Sequence, residues 1–183
     1  SCRAIEARNT HFDSSTELMA WTNVLFPEED LWQERMRRAC CLLSDFCWAE
    51  HPDYRAEHAF LRVLRSTMVG ITHEERVFLA TVLHRRYGGK FDAHAVAAHV
   101  LDDDQMHRAE VLGNALRLSQ TIAAGAAPVL QHTKLEVGTK RLTLHVDADH
   151  APLINDLIER RLASVAKVLG LSPTISLGRD VAA

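Results

Sequence analysis

His84, Arg85, Arg86 and Lys90 fall close together in this chain and concentrate positive charge and hydrogen-bond donors. Guanidinium forks match the oxygens of a phosphate, and a histidine or lysine adds single donors, so the group is a candidate for gripping a polyanion. Arg35, Arg37 and Arg38 form a second basic group, of which Arg37 and Arg38 are the further substrate-binding candidates. The ordinary alternative is that basic residues in a last helical turn complement the helix dipole and stay solvated. The chain has 11 histidines, which invite a metal hypothesis, with His51, His58, His84 and Asp45 as candidate ligands. No two histidines have the i, i+4 spacing that a helix-borne site favours, so no metal is expected. No catalytic group is assigned either. Neither G-x-S-x-G nor H-E-x-x-H occurs, and Gly88-Gly89 belongs to no phosphate-cradling fingerprint. Trp21, Trp32 and Trp48 lack interleaved basic residues and read as core or interface, not as a base-stacking platform.

At 183 residues, 47% hydrophobic and 25% charged, the chain can bury one good core, or a main core with a small satellite domain. A net charge of -3 argues against broad attraction to nucleic acid, so any polyanion site must be local. No apolar run is long enough to cross a bilayer, and Ser1-Cys2-Arg3-Ala4 does not open a secretory signal. A cytoplasmic protein without membrane or nucleic-acid partners is expected, and the start without Met reads as a segment of a longer polypeptide. Cys2, Cys40, Cys41 and Cys47 contain no C-x-x-C pair and are expected as buried thiols.

Periodicity predicts six helices and then a change of period. Ser14 and Glu17 form a capping box for a first helix ending at Pro27. A second, central helix is expected from near Glu28 to His51-Pro52, with Met36, Ala39, Cys40, Leu43, Phe46 and Cys47 on its buried face. A third runs from Tyr54 to Gly70, and Thr72 with Glu75 caps a fourth that reaches Gly88-Gly89. A short helix near Ala93 to Leu101 and a longer one from Asp103 to Ala124 follow. From Lys134 apolar residues alternate: Leu135 and Val137, a turn at Gly138-Thr139-Lys140, then Leu142, Leu144 and Val146. A helix capped by Asp149, with Pro152 in its first turn, leads to Gly170 and a last strand from Ser172 to Gly178. The expected fold is mainly α, a helical domain over residues 1–131 followed by a small β-β-α-β domain over 132–183.

Several segments carry a resemblance. Leu42-Leu43-Ser44-Asp45 resembles the Leu-Leu-His-Asp core of HD-type phosphohydrolases with serine in place of histidine. Arg37-Arg38-Ala39-Cys40-Cys41-Leu42-Leu43-Ser44-Asp45-Phe46 resembles the R-A-A-x-L-L-H/S-D-I helix of the C-terminal half of the exopolyphosphatase and guanosine pentaphosphate phosphohydrolase family. Glu50-His51-Pro52-Asp53-Tyr54-Arg55 is similar to the A-H-P-D-Y-R stretch that follows it there, and His84 to Lys90 to a basic R-Y-H-R-K stretch. Leu116-Arg117-Leu118 corresponds to the family's L-R-L-A-D, with Gln120 at the aspartate position.

This resemblance implies a degenerate HD-like fold in which Ser44, Asp45 and Gln120 mark the former metal position. A hydroxyl cannot replace an imidazole nitrogen there without a large loss of affinity. The parent protein would release terminal phosphate from inorganic polyphosphate, using Mg²⁺ in N-terminal catalytic domains absent from this chain. The chain itself would bind polyphosphate and form a homodimer, with no cofactor of its own and no turnover in isolation. A free-standing HD-type phosphohydrolase and a purely structural dimerisation module are the alternatives.

Overall fold

The computed structural model describes residues 15–89, 93–123 and 127–178. Cys2, the expected capping residue Ser14 and the basic-cluster candidate Lys90 lie outside them. Helix α1 spans Ser15–Thr22 and runs into a 3-10 turn, Asn23–Leu25. Helix α2, Leu31–Leu42, starts at an Asp30 and Gln33 capping box. Helix α3 is Arg55–Arg65, α4 is His73–Tyr87, α5 is Ala93–Ala97 and α6 is Asp103–Ala123. A 3-10 segment, Ala127–His132, leads into strands β1, Thr133–Val137, and β2, Arg141–Asp147. A second 3-10 segment, Ala148–Leu153, precedes helix α7, Asp156–Val168, and strand β3, Ser172–Gly178. The result is a mainly helical fold with a small three-stranded sheet in the order β1-β2-β3.

The hairpin is antiparallel, from Thr133 opposite Val146 to Val137 opposite Leu142, while β3 pairs with β2 in parallel through the α7 crossover. Leu135, Leu142, Leu144 and Val146 are buried on one face, where α7 contributes Ile158, Leu162, Val165 and Ala166. Glu136 and His145 pair on the other face at 2.7 Å. The predicted β-β-α-β unit is therefore present. Its core is continuous with that of the helices, and Trp21 of α1 donates its indole N–H to Thr133 Oγ1 of β1 at 3.0 Å.

Thr72 and Glu75 cap α4 reciprocally, and Gly88 closes it in the left-handed conformation at φ 73°, as the sequence predicts. Three boundaries differ most, while the short helix expected to reach Leu101 ends at Ala97. The second helix stops at Leu42, well short of His51, and residues 43–50 form successive tight turns. Their N–H groups bond three residues back, Ser44 to Cys41, Phe46 to Leu43, Trp48 to Asp45 and Glu50 to Cys47, while the Tyr87 hydroxyl takes the Cys47 N–H. The third helix ends at Arg65, where the Ser66 hydroxyl donates to the Val63 carbonyl and competes with the backbone ladder. The last helix is capped by Asn155, whose side chain accepts from the N–H groups of Leu157 and Ile158, while Asp149 and Pro152 lie in the preceding 3-10 segment. Cys40, Cys41 and Cys47 are buried, and burial pushes Cys41 up to about 12.

The central helix is α6, not α2. Its buried residues include Val111, Leu112, Gly113, Asn114, Ala115, Leu116, Leu118, Ser119 and Ile122, because it packs on α4 and on α7. At Gly113 it nearly touches α4: an added Cβ would stand 2.5 Å from Arg85 Cβ and 2.9 Å from the Val82 carbonyl oxygen. Gly113→Ala gains about 1 kcal/mol of helix propensity, yet it forces two backbones apart. A net loss of about 1–2 kcal/mol is expected in urea unfolding, and a stabilised variant would refute the close crossing.

Candidate functional site: a basic cluster beside Asp45

The turns after α2 place Ser44 and Asp45 against the end of α4. Ser44 is buried, and its backbone carbonyl accepts the Tyr87 hydroxyl proton at 3.0 Å. Burial pushes Tyr87 up to about 12, so its hydroxyl stays protonated and remains a donor. The Asp45 carboxylate accepts from Arg86 at 2.8 Å, with the two side chains 13% and 12% exposed. The Arg86 guanidinium also lies over the Tyr87 ring, 4.2 Å from its centroid.

These residues do not fit a metal of the HD type. The one carboxylate is bound to a guanidinium, the serine offers no imidazole, and Gln120 is half-buried in the last turn of α6. The candidate histidines do not gather there. His58 pairs with Glu50 at 3.0 Å, the His51 ring lies 5.7 Å from Tyr54, and His84 is buried edge-on to Phe60 at 5.9 Å.

The predicted basic residues separate into two kinds. Arg37 is part of the core: it grips Glu29 at 2.5 Å and donates to the Met19 carbonyl, Thr22 and Asn23, so it cannot reach a ligand. Glu29 also binds Arg108, which joins α6 to the same carboxylate. Arg38 is exposed and pairs with Glu34 one turn away at 2.7 Å. Their partners therefore differ: Arg37 is committed to the core, and Arg38 to a neighbour on its own helix.

His84, Arg85 and Arg86 do occupy the last turn of α4, but they are not solvent decoration. Arg85 pairs with Glu110 of α6, and Arg86 with Asp45. The residue that completes the group is Arg117 of α6. Its guanidinium lies where a Cβ on Gly88 would stand, and the His84 ring lies where one on Gly89 would stand. The Gly-Gly turn thus makes room for two side chains beneath it. Its own N–H groups bond to the Arg85 and His84 carbonyls and cradle no phosphate.

Burial, together with the charges of Arg161, Arg85 and Arg86, holds Arg117 down at about 10. No carboxylate pairs with Arg117 among the described residues. Arg86 Nε and Arg161 Nε are buried with no hydrogen-bond partner there. Arg161 comes from α7, so the cluster draws on three helices, and two carboxylates answer four guanidinium groups. Sequence reasoning misses Arg117 and Arg161 as site residues. The available signal is a charged residue inside the apolar run Leu112 to Leu118. A pocket of about 470 Å³ lies elsewhere, between Trp32 and His107, and its acidic residues Asp30, Asp102 and Asp104 suit a polyanion poorly.

The architecture is mainly helical with a β-β-α-β tail, and the Asp45 carboxylate is closed off by its ion pair with Arg86. The sequence model of the exopolyphosphatase C-terminal domain matches residues 4–175, and the chain belongs to that family. No curated protein matches it. No helix among the described residues is long and apolar enough to cross a membrane.

Asp45→Ala leaves Arg86 mostly buried without its partner and is expected to cost about 3 kcal/mol in urea unfolding; a loss under 1 kcal/mol would place Arg86 in solvent. A second expectation concerns pH. Burial, aided by the Arg85 charge, holds His84 below the ordinary 6.5. As pH falls through about 6.5, the unfolded chain takes up a proton that folded His84 does not, so stability falls by at most about 1.4 kcal/mol per pH unit. That contribution is fully present above this range and is gone once pH has passed below the folded value. Unfolding of His84→Leu between pH 7 and pH 5 should therefore show a shallower decline than the unchanged protein, and parallel declines would refute the burial argument.

Proposed function

We propose that this chain is the C-terminal accessory part of an exopolyphosphatase, and that it holds distal units of inorganic polyphosphate while catalysis takes place in N-terminal domains. The observation that carries this reading is Arg117, a half-buried guanidinium with Arg85, Arg86 and Arg161 around it and no counter-ion among the described residues. A phosphate oxygen would relieve their mutual repulsion and satisfy the buried Nε groups of Arg86 and Arg161. Anchoring by Glu110 and Asp45 fixes Arg85 and Arg86 before the ligand arrives, which lowers the entropy lost on binding. Lys90, outside the described residues, stays a candidate neighbour by sequence.

The chain contributes no group to phosphoryl transfer in this reading, and Mg²⁺ belongs to the catalytic domains. Self-association into a homodimer and docking on those domains are the second part of the proposal. Leu31 and Val69 support it, since they expose 88% and 89% of their surface and would favour being covered. The free-standing phosphohydrolase is disfavoured by the Asp45 and Arg86 ion pair, which takes up the carboxylate that a metal would need.

Binding of long polyphosphate, measured by calorimetry at several salt concentrations, should weaken as salt rises. Arg117→Gln and Arg161→Gln should each lower the slope of log affinity against log salt by about one. Long chains should lose more affinity than short ones, because a distal site gains through effective concentration. Salt-independent binding, or slopes unchanged in both variants, would leave dimerisation as the domain's role.

A further inference from the structure

The open end of the β1–β2 hairpin gathers three donors that the basic cluster does not use. His132 is the last residue before β1, Asp147 is the last residue of β2, and His150 lies in the 3-10 segment after it. Continuing the register beyond Thr133 and Val146 sets His132 opposite Asp147, and Asp147 is also held against Gly178 of β3. One ligand atom from each of the three side chains lies within 4.8 Å of the other two. His132 Nδ1 is 2.8 Å from Asp147 Oδ2, and these side chains are 38% and 16% exposed, so the group is shielded yet reachable.

Two further details separate this group from a chance surface cluster. The His132 and His150 rings stack 3.9 Å apart at 14°, an arrangement that repels if both become imidazolium. His150 Nδ1 is buried with no hydrogen-bond partner among the described residues. A buried imidazole nitrogen left unsatisfied costs free energy, and a cation that accepts its lone pair removes that cost.

We propose that His132, Asp147 and His150 form a site for a divalent transition metal of the Zn²⁺ class. Two imidazoles and one carboxylate suit Zn²⁺, Co²⁺ or Ni²⁺ and are too nitrogen-rich for Mg²⁺ or Ca²⁺. With bonds of about 2.0–2.1 Å, a tetrahedral ion needs donors about 3.4 Å apart, so binding would turn the stacked rings toward the ion and close the present spread. Three protein ligands leave a fourth position for water or a ligand oxygen. Its residues come from elements other than the one that carries Asp45, the position around which sequence reasoning would gather histidines. No i, i+4 pair signals it, because a strand register and a 3-10 turn bring its residues together. It would fasten the segment before β1 to the segment after β2, so metal should stabilise the fold.

The test titrates the full chain, stripped by chelator, with Zn²⁺ by calorimetry and with Co²⁺ by visible absorption at neutral pH. One equivalent should bind, Co²⁺ should give intense tetrahedral bands, and Zn²⁺ should raise the Tm. Affinity should fall at lower pH, because the imidazoles must give up protons to bind metal. His150→Ala or Asp147→Asn should weaken binding by more than about tenfold with the circular dichroism unchanged, and the isosteric Asp147→Asn serves if His150→Ala fails to fold. A loss in either folded variant supports the site. Failure to take up one saturable equivalent, or uptake unchanged in both variants, overturns it.

Discussion

The close crossing of α4 and α6 at Gly113 is the constraint on which the site depends. With Val82 and Arg85 almost against the glycine, the last turn of α4 and the third and fourth turns of α6 are forced side by side. Arg117, one turn beyond Gly113, is thereby held beside Arg85 and Arg86. A larger residue at 113 would separate the helices, and the guanidinium groups with them. The same helix meets α7 on its other side, which brings Arg161 to the group. The arginine cluster is thus a consequence of helix packing, and no run of basic residues encodes it.

The second organising element is the ion pair between Asp45 and Arg86. Where the HD pattern would place a cation between an imidazole and carboxylates, this chain has Asp45 bound to Arg86, with the Tyr87 hydroxyl linking Ser44 and Cys47. A guanidinium is a fixed cation that supplies charge and donors and offers no Lewis acidity. It can hold the turns after α2 against α4 as a metal would, without activating water.

The electrostatic state of the cluster sets it apart from the net acidic chain that carries it. Exposed basic residues are screened within about 10 Å in ordinary salt. Partly buried guanidinium groups are screened less, and their repulsion remains until an anion or a carboxylate answers it. Glu110 and Asp45 answer part of it, and Arg117 keeps the remainder. Charge here acts through placement, with overall composition of little consequence.

The sequence by itself determined the features that local rules set: the capped start of α4 at Thr72 and Glu75, its glycine end, the span of α6, and the change to period two at the hairpin. These depend on neighbours in the chain and are legible in it. It also carried the family, through Leu42 to Asp45 and Leu116 to Leu118. Tertiary structure decided that the chain after α2 forms turns, because the hydroxyl that takes the Cys47 N–H and donates to the Ser44 carbonyl belongs to Tyr87, far along the chain. It decided as well that Arg37 serves the core and Arg117 the surface cluster, though both look alike as arginines on apolar helices. The difference is whether a carboxylate such as Glu29 arrives from another element, and that depends on long-range packing, which spacing along one helix does not contain.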